Sequence, residues 1–297
     1  MFGAGPELPY EGVVIRPPSE ASSLILQATF GCSHNRCTFC PTYKDTRFRI
    51  KPLERFRAEV ERAAAWGTWR RVFLCDGDAL ILPQAMLLER LTLLRTTLPG
   101  LQRVGIYANG KALERKSLED LLALRELGLG IIYYGLESGD DPTLERICKG
   151  RSAARLVAAG RKAREAGIAL SVTVLLGIAG VDDSLRHAVA TGEALSAIDP
   201  DYVGALTVMV VPGTALAEAQ ARGEFVLPDR FALLEELAVM LSRTDLSSGL
   251  FLANHASNYL PLKLVLPRDK ERGLALLKQV LDERDESRLK PEWLRGL

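Results

Sequence analysis

The sequence is poor in most of the features that sort a chain quickly into a class. No apolar run reaches the roughly 20 residues of a membrane span, so no membrane association is expected. Met1 to Pro18 carries Glu7 and Glu11 and has no basic start leading into an apolar stretch. No secretory signal is read there, and a cytoplasmic protein is expected. Cysteine is scarce: there are five, three of them clustered, which is no disulfide framework and suits a reducing compartment. An excess of one charge is missing too, since 38 Lys and Arg are interleaved with 37 Asp and Glu for a net charge of +1. Without a basic stripe the chain gives no strong nucleic-acid signal. Asn and Gln are few among many Arg, Ala and Leu, a bias common to thermophiles and GC-rich genomes.

What is present is ordinary core material, with 47% hydrophobic and 25% charged residues in 297. A barrel of this length commonly folds as one unit. Residues 1–20, with several Pro and Gly, read as an extended lead-in. Leu24–Thr29 reads as a short buried strand that delivers the chain to a cysteine loop. Leu53, Phe56, Val60 and Ala63 recur at helical spacing, and Gly67 is expected to end that helix as a left-handed cap. The unit then repeats. Strands are expected at 71–75, 103–107, 131–134, 169–176 and 202–211, separated by helices. One helix has an inner face of Met86, Leu87, Leu91 and Leu94. Another is capped by Ser117 with Asp120 three residues on, and a third by Asp141 ahead of Pro142.

Six continuously apolar strands alternating with helices predict an α/β fold with a parallel sheet, curled or partly closed into a barrel. Such sheets carry chemistry at the carboxyl ends of their strands. The cysteine loop, Asp76-Gly77-Asp78, Asn109, Glu137-Ser138, Gly177 and Pro212-Gly213 all follow expected strands. After Thr214 the pattern changes to helices around 231–241 and 270–281, and 282–297 reads as a charged surface tail with Trp293. The expected organisation is a lead-in at 1–20, a barrel body at 21–215 and a C-terminal helical extension at 216–297 covering it.

The cysteine loop, Gly31-Cys-Ser-His-Asn-Arg-Cys-Thr-Phe-Cys-Pro41, has the spacing C-x4-C-x2-C. Three thiolates on one loop suit an iron–sulfur cluster or zinc. A site closed by protein alone has four ligands, so three leave one coordination position for another molecule. The alternative is a zinc knot of three Cys and His34. Cys75 and Cys148 are too few for a second cluster, and none is expected.

A cysteine loop after the first strand of a six-fold βα repeat resembles the radical S-adenosylmethionine (SAM) superfamily, over about residues 23–215. In that family three cysteines bind three irons of a [4Fe-4S] cluster, and the amino and carboxylate groups of SAM chelate the fourth. The resemblance therefore implies Cys32, Cys37 and Cys40 as metal ligands. The family's usual spacing is C-x3-C-x2-C, so one residue is extra between Cys32 and Cys37. Phe39 before the last cysteine follows the family pattern. Asp76-Gly77-Asp78 stands where the family has a glycine turn for the SAM amino group, with backbone carbonyls or the Asp76 carboxylate as acceptors. Gly135-Leu-Glu137-Ser138-Gly is similar to the fourth-strand motif of the coproporphyrinogen-oxidase, methylthiotransferase and elongator-like branches, where the Glu accepts from the ribose hydroxyls. Arg155 would meet the SAM carboxylate, with Arg146 and Arg151 as competitors. Leu175–Gly180, with Gly177, and Val211-Pro212-Gly213 resemble the segments flanking adenine. Asn109 joins the same set of cofactor residues.

The resemblance implies an oxygen-sensitive, partial (β/α)6 TIM-like barrel. Its reduced cluster would cleave SAM to methionine and a 5′-deoxyadenosyl radical that abstracts hydrogen from a small or medium-sized substrate. A donor such as flavodoxin or ferredoxin would supply the electron. A small uncharacterised subgroup of the superfamily is similar at Asp76–Leu80 and at Asn254-His255-Ala256-Ser257-Asn258-Tyr259. Asn254, His255, Ser257 and Asn258 are therefore expected to line the substrate pocket, with His255 as acid/base or anchor. His187 is read as a surface or interhelix residue. The alternative function is a zinc- or cluster-containing binding protein without SAM turnover.

Overall fold

The computed structural model describes residues 8–296. Residues 1–7, part of the expected lead-in and of the signal-peptide reading, lie outside the described residues. The chain divides into two compact units. Among the described residues, one comprises 8–35, 42–134 and 165–169; the other comprises 36–41, 135–164 and 170–296.

The first unit runs β1 (Leu24–Gln27), β2 (Thr29–Phe30), β3 (Arg49–Ile50), α1 (Leu53–Trp66), β4 (Arg71–Cys75) and α2 (Gln84–Thr97). It continues with β5 (Arg103–Ala108), α3 (Gly110–Glu114), α4 (Leu118–Glu126) and the start of β6 (Leu129–Glu137). β1, β4, β5 and β6 pair in that order, all parallel. Val72, Phe73, Leu74 and Cys75 are buried without alternation, as expected of a strand covered on both faces. Phe56, Val60 and Ala63 are the buried stripe of α1. Ser117 and Asp120 form the expected capping box on α4. β2 and β3 make a separate antiparallel pair that brackets the cysteine loop in sequence.

Two local expectations are corrected here. Gly67 has φ 170°, an extended conformation, and closes α1 through its N–H to the Ala63 carbonyl (3.3 Å) rather than as a left-handed cap. Met86 is 39% exposed, while Leu87, Leu91 and Leu94 are buried, so the inner stripe of α2 begins one residue later.

The second unit takes the end of β6, then α5 (Asp141–Arg146), α6 (Ala153–Glu165), β7 (Ala169–Leu176), α7 (Ser184–Ile198) and β8 (Tyr202–Thr207). α8 (Ala215–Ala221), α9 (Arg230–Ser242), β9 (Gly249–Leu252), β10 (Lys263–Leu266) and α10 (Lys270–Glu283) complete it. β8 lies between β7 and β9, parallel to both, and β10 is antiparallel to β9. α9 packs against α7 and α10, burying Phe231, Leu234, Leu237 and Leu241.

Asp140, one residue earlier than expected, caps α5 by accepting from the Thr143 N–H (3.1 Å). β8 stops at Thr207 instead of 211, because the following residues turn to place Thr214 as the cap of α8. The C-terminal extension carries two strands as well as its helices. Its last residues are not all surface: Trp293 is exposed, but the Arg295 guanidinium lies 4.1 Å over the Tyr259 ring with its side chain 2% exposed.

Candidate cofactor site

In the first unit, β2 and β4 bring two short loops side by side. Asp76 is buried, and its carboxylate accepts from Gln27 Nε2 (3.1 Å to each oxygen) and from the Gly31 N–H (3.0 Å). Asp78 is buried as well, and accepts from the Ser33 N–H (2.9 Å), the Ser33 hydroxyl and Asn109 Nδ2 (2.7 Å). The residues on either side of Cys32 are thus held by the carboxylates on either side of Gly77. Gly77 itself leaves no room: a Cβ there would stand 2.9 Å from both Cys32 Cβ and Tyr43 Cε2. Asn109 serves two neighbours at once, since its Oδ1 accepts from the Ala112 N–H (2.8 Å) and caps α3.

Burial raises the pKa of Asp76, against the hydrogen bonds from Gln27 and Gly31. Burial likewise pushes Asp78 up to about 6, opposed by Ser33 first and by Lys111 and Asn109. Asn35, between Cys32 and Cys37, takes a left-handed backbone (φ 43°), and its Nδ2 donates to the Tyr43 carbonyl (2.6 Å). That bond closes the longer first spacing of the loop.

Cys32, Cys37 and Cys40 are all partly exposed, whereas Cys75 is buried and Cys148 is exposed. Cys75 is a core group of β4, and burial pushes its thiol pKa well up. Among the described residues no three His, Cys, Asp or Glu side chains are gathered closely enough to hold a metal ion. Sites of this kind assemble with their metal, since nothing else draws thiols together. By donor chemistry, three accessible sulfurs on one loop suit an iron–sulfur cluster.

In the second unit, Thr38 anchors the later part of the loop: its N–H donates to the Ile147 carbonyl (3.1 Å), and its carbonyl accepts from the Leu216 N–H (3.0 Å). At the end of β6, Glu137 has φ 65°, and its carboxylate accepts from Lys149 Nζ (3.1 Å). The carboxylate lies across Gly135, where a Cβ would come within 2.3 Å of Glu137 Oε1. Ser138 is fully buried, with its Oγ 2.8 Å from His187 Nδ1 and accepting from the Asp140 N–H (3.0 Å). Gly177, after β7, donates its N–H to Glu236 Oε1 (2.7 Å).

Arg155 is exposed in the first turn of α6. Val211 and Pro212 lie past the end of β8, where the Val211 carbonyl accepts from the Thr214 hydroxyl (2.7 Å). Of the two places expected for His187, at the surface or between helices, it takes the second, on α7 beside Glu236 of α9. It is fully buried and linked to Glu236, neither of which the sequence reading placed at a site. The available signal was Glu236 itself, an acidic residue on the apolar stripe of α9.

The loop after β9 is pinned to β8 by its two buried members. Asn258 accepts from the Thr207 hydroxyl (2.8 Å) and donates to the Ala205 carbonyl (2.8 Å); Ser257 Oγ accepts from the Thr207 N–H (3.1 Å). Ser257 and Asn258 therefore face inward, while Asn254 is exposed and His255 half-buried. His255 Nδ1 accepts from the Ser257 N–H (3.2 Å) and lies 2.9 Å from its hydroxyl, which places the ring proton on Nε2. Burial, then the Lys290 ammonium, lower the His255 pKa, so the neutral ring is favoured.

Strand–helix repeats with polar loops at the strand ends define an α/β protein of the partial-barrel kind. The chain belongs to the radical SAM superfamily, whose family model matches residues 26–191. It is 26% identical over 208 residues to an uncharacterized protein of Methanocaldococcus jannaschii, covering 66% of this chain and 63% of that one. The crystal structure of methylornithine synthase superposes with a TM-score of 0.53 at 20% identity, covering 75% of this chain and 63% of that one. Coproporphyrinogen III oxidase of Escherichia coli gives a TM-score of 0.56 at 16% identity, over 74% and 52%. The chain thus spans less than two thirds of each of these proteins. Their common fold is the TIM-like α/β barrel type, and members of the superfamily are enzymes that use a [4Fe-4S] cluster and SAM. Among the described residues no helix is long and apolar enough to cross a membrane.

Proposed function

We propose that this chain is a SAM-cleaving enzyme in which Cys32, Cys37 and Cys40 hold one [4Fe-4S] cluster and SAM takes the remaining iron. The observation that carries the proposal is the clamp on Cys32: Asp76 and Asp78 fix the residues flanking it, and only glycine fits at 77. A single thiol position held this closely is wasted on a loop of no function but suits a ligand. When bound, the cluster and SAM would supply a 5′-deoxyadenosyl radical for abstracting a hydrogen atom from a small or medium-sized substrate.

The chain's own residues would bind and orient. The carbonyls of the Asp76–Asp78 turn would accept from the SAM amino group, with Asn109 holding Asp78. Glu137, set by Lys149, would accept from the ribose hydroxyls; a carboxylate suits a vicinal diol because it can accept both protons. Ser138 and Gly177 would shape the nucleoside position through the backbone around them, beside Val211 and Pro212. Arg155, in the first turn of α6, would meet the SAM carboxylate. In the C-terminal extension, Asn254 and His255 would meet substrate, and Ser257 and Asn258 would hold them in place. The proton on His255 Nε2 makes that residue a hydrogen-bond donor that anchors an acceptor group, rather than a base. The electron would come from a flavodoxin- or ferredoxin-type donor.

Anaerobic reconstitution with iron and sulfide tests the reading. A brown protein with roughly four irons per chain that forms 5′-deoxyadenosine from SAM and reductant supports it. A colourless protein holding one zinc, or a cluster that never cleaves SAM, overturns it in favour of a metal-containing binding protein.

A further inference from the structure

Beneath the ends of β6 and β7 lies a chain of polar side chains that the proposed cofactor contacts do not use. Ser138 Oγ accepts from the Asp140 N–H and lies 2.8 Å from His187 Nδ1, which also has the Thr191 hydroxyl at 3.3 Å; with both hydroxyls donating, Nδ1 is the acceptor. The other ring nitrogen of His187, Nε2, then carries a proton and stands 3.5 Å from Glu236 Oε1. It is one of the few buried side-chain nitrogens without a hydrogen-bond partner among the described residues. The Glu236 carboxylate accepts from the Gly177 N–H (2.7 Å) through Oε1 and from the Ser184 hydroxyl through Oε2. Ser138, His187 and Glu236 are each 0% exposed. Burying an imidazole and a carboxylate carries a desolvation cost that apolar side chains of similar size would avoid, so the packing of α7 and α9 alone does not account for them.

The chain connects two backbone segments with no slack at either end. At Gly139 a Cβ would lie 2.2 Å from the Ala190 carbonyl oxygen, and its N–H donates to Thr191 Oγ1 (2.9 Å). At Gly177, with φ +79°, a Cβ would lie 2.8 Å from Leu233 Cδ2. Glu137–Gly139 is the segment assigned above to the ribose, and Gly177 to the adenine. We propose that His187 and Glu236 are positioning residues for the nucleoside of SAM, setting the end of β6 and the end of β7 in register for the ribose and the base. The inference rests on the SAM-binding reading. It adds that nucleoside affinity is controlled from α7 and α9 by groups that touch no ligand. Glu236 fixes the Gly177 amide, the His187 ring stands against Glu236 at 3.5 Å, and its Nδ1 meets the Ser138 hydroxyl beside Glu137.

The test uses reconstituted full-length protein and measures SAM dissociation by equilibrium dialysis, iron content, and kcat and KM for 5′-deoxyadenosine formation. His187→Leu and Glu236→Leu are expected to weaken SAM binding at least tenfold, with iron content and kcat at saturating SAM within about twofold of the parent. His187→Asn, which keeps an acceptor for the Ser138 hydroxyl, and Glu236→Gln, which keeps one for Gly177, should recover most of that affinity. Unchanged SAM affinity in both leucine variants overturns the inference. So does loss of affinity only in step with loss of iron, since that reports general unfolding. If a leucine variant does not fold, Glu236→Gln against Glu236→Asp decides: the shorter side chain cannot reach Gly177 and should bind SAM more weakly, and equal affinity overturns the inference. A parent protein that carries iron but binds no SAM refutes the underlying reading instead, and the two failures are separate.

Discussion

The residue that constrains the candidate site most tightly is Gly77, which has no side chain. Its neighbours Cys32 Cβ and Tyr43 Cε2 would stand 2.9 Å from any added Cβ, and Cys32 is held on both sides by Asp76 and Asp78, so neither can move away cheaply. Overpacking of this kind costs about 1–3 kcal/mol, and the displacement falls on a proposed metal ligand. Gly77→Ala is therefore expected to lower the midpoint of urea unfolding and to cut reconstituted iron by more than half. Full iron content in the variant would show that the clamp is not needed. The buried pair gives a pH signature at the same scale. Burial pushes Glu236 up to about 7, opposed by Ser184 and the Gly177 amide, and pushes His187 down to about 4, against the Asp140 charge. Arg146 and Arg186 also face His187 and lower it, while Thr191 and Ser138 hydrogen-bond to it. A raised carboxylate keeps its proton in the folded chain, so its contribution to stability falls as pH rises from about 4.5 to about 7. A depressed histidine binds its proton better unfolded, so its contribution rises from about pH 4 to about 6.5. In the parent the two slopes oppose each other over the shared window. Glu236→Gln removes one, and its stability relative to the parent should rise as the pH goes from about 5 to about 6.5. Parallel denaturation curves at the two pH values would refute the assignment.

At the scale of elements, the loop after β9 depends on two buried side chains. Asn258 satisfies both Thr207 Oγ1 and the Ala205 carbonyl, while Ser257 Oγ takes only the Thr207 N–H. Asn258→Ala leaves those partners buried, at a cost of about 1–3 kcal/mol. It should speed amide hydrogen exchange across residues 253–259 while leaving β7 and α7 protected. Protection as slow as in the parent would mean that Arg295 and Lys290, which hydrogen-bond to the Ser257 and Ala256 carbonyls, hold the loop by themselves. What the sequence revealed of the elements follows the range of the forces involved. The Ser117–Asp120 capping box and the apolar run of β7 are set by neighbours within a few residues, and both are legible. The cap of α5 fell to the wrong member of an Asp-Asp pair, because two identical side chains one residue apart carry the same local signal. The inward turn of Ser138 and the burial of His187 depend on partners 49 residues apart, and no window along the chain contains them.

For the whole molecule, the superfamily was legible because its evidence is the order of motifs from the cysteine loop to Gly177, and order survives where each motif alone is weak. The substrate was not legible, since the polar loop at 254–259 mixes residues that hold the loop with residues open to a ligand, and only packing separates them. The distribution of sulfur over the chain makes the last prediction. Three cysteines are partly exposed on one loop, one is sealed in β4 with its thiol pKa pushed up, and one is exposed after α5. If a single three-cysteine cluster is the only iron centre, Cys32→Ala, Cys37→Ala and Cys40→Ala should each lose most of the reconstituted iron and all 5′-deoxyadenosine formation. None of the three should lose more than about 1 kcal/mol of metal-free stability, because these side chains are not core packing. A Cys75→Ala, Cys148→Ala double variant should behave the other way: the cavity left by a fully buried thiol lowers its unfolding midpoint, yet it keeps the parent's iron-to-protein ratio and visible spectrum. Iron lost from the double variant would place one of those sulfurs on a cluster and overturn the three-ligand assignment.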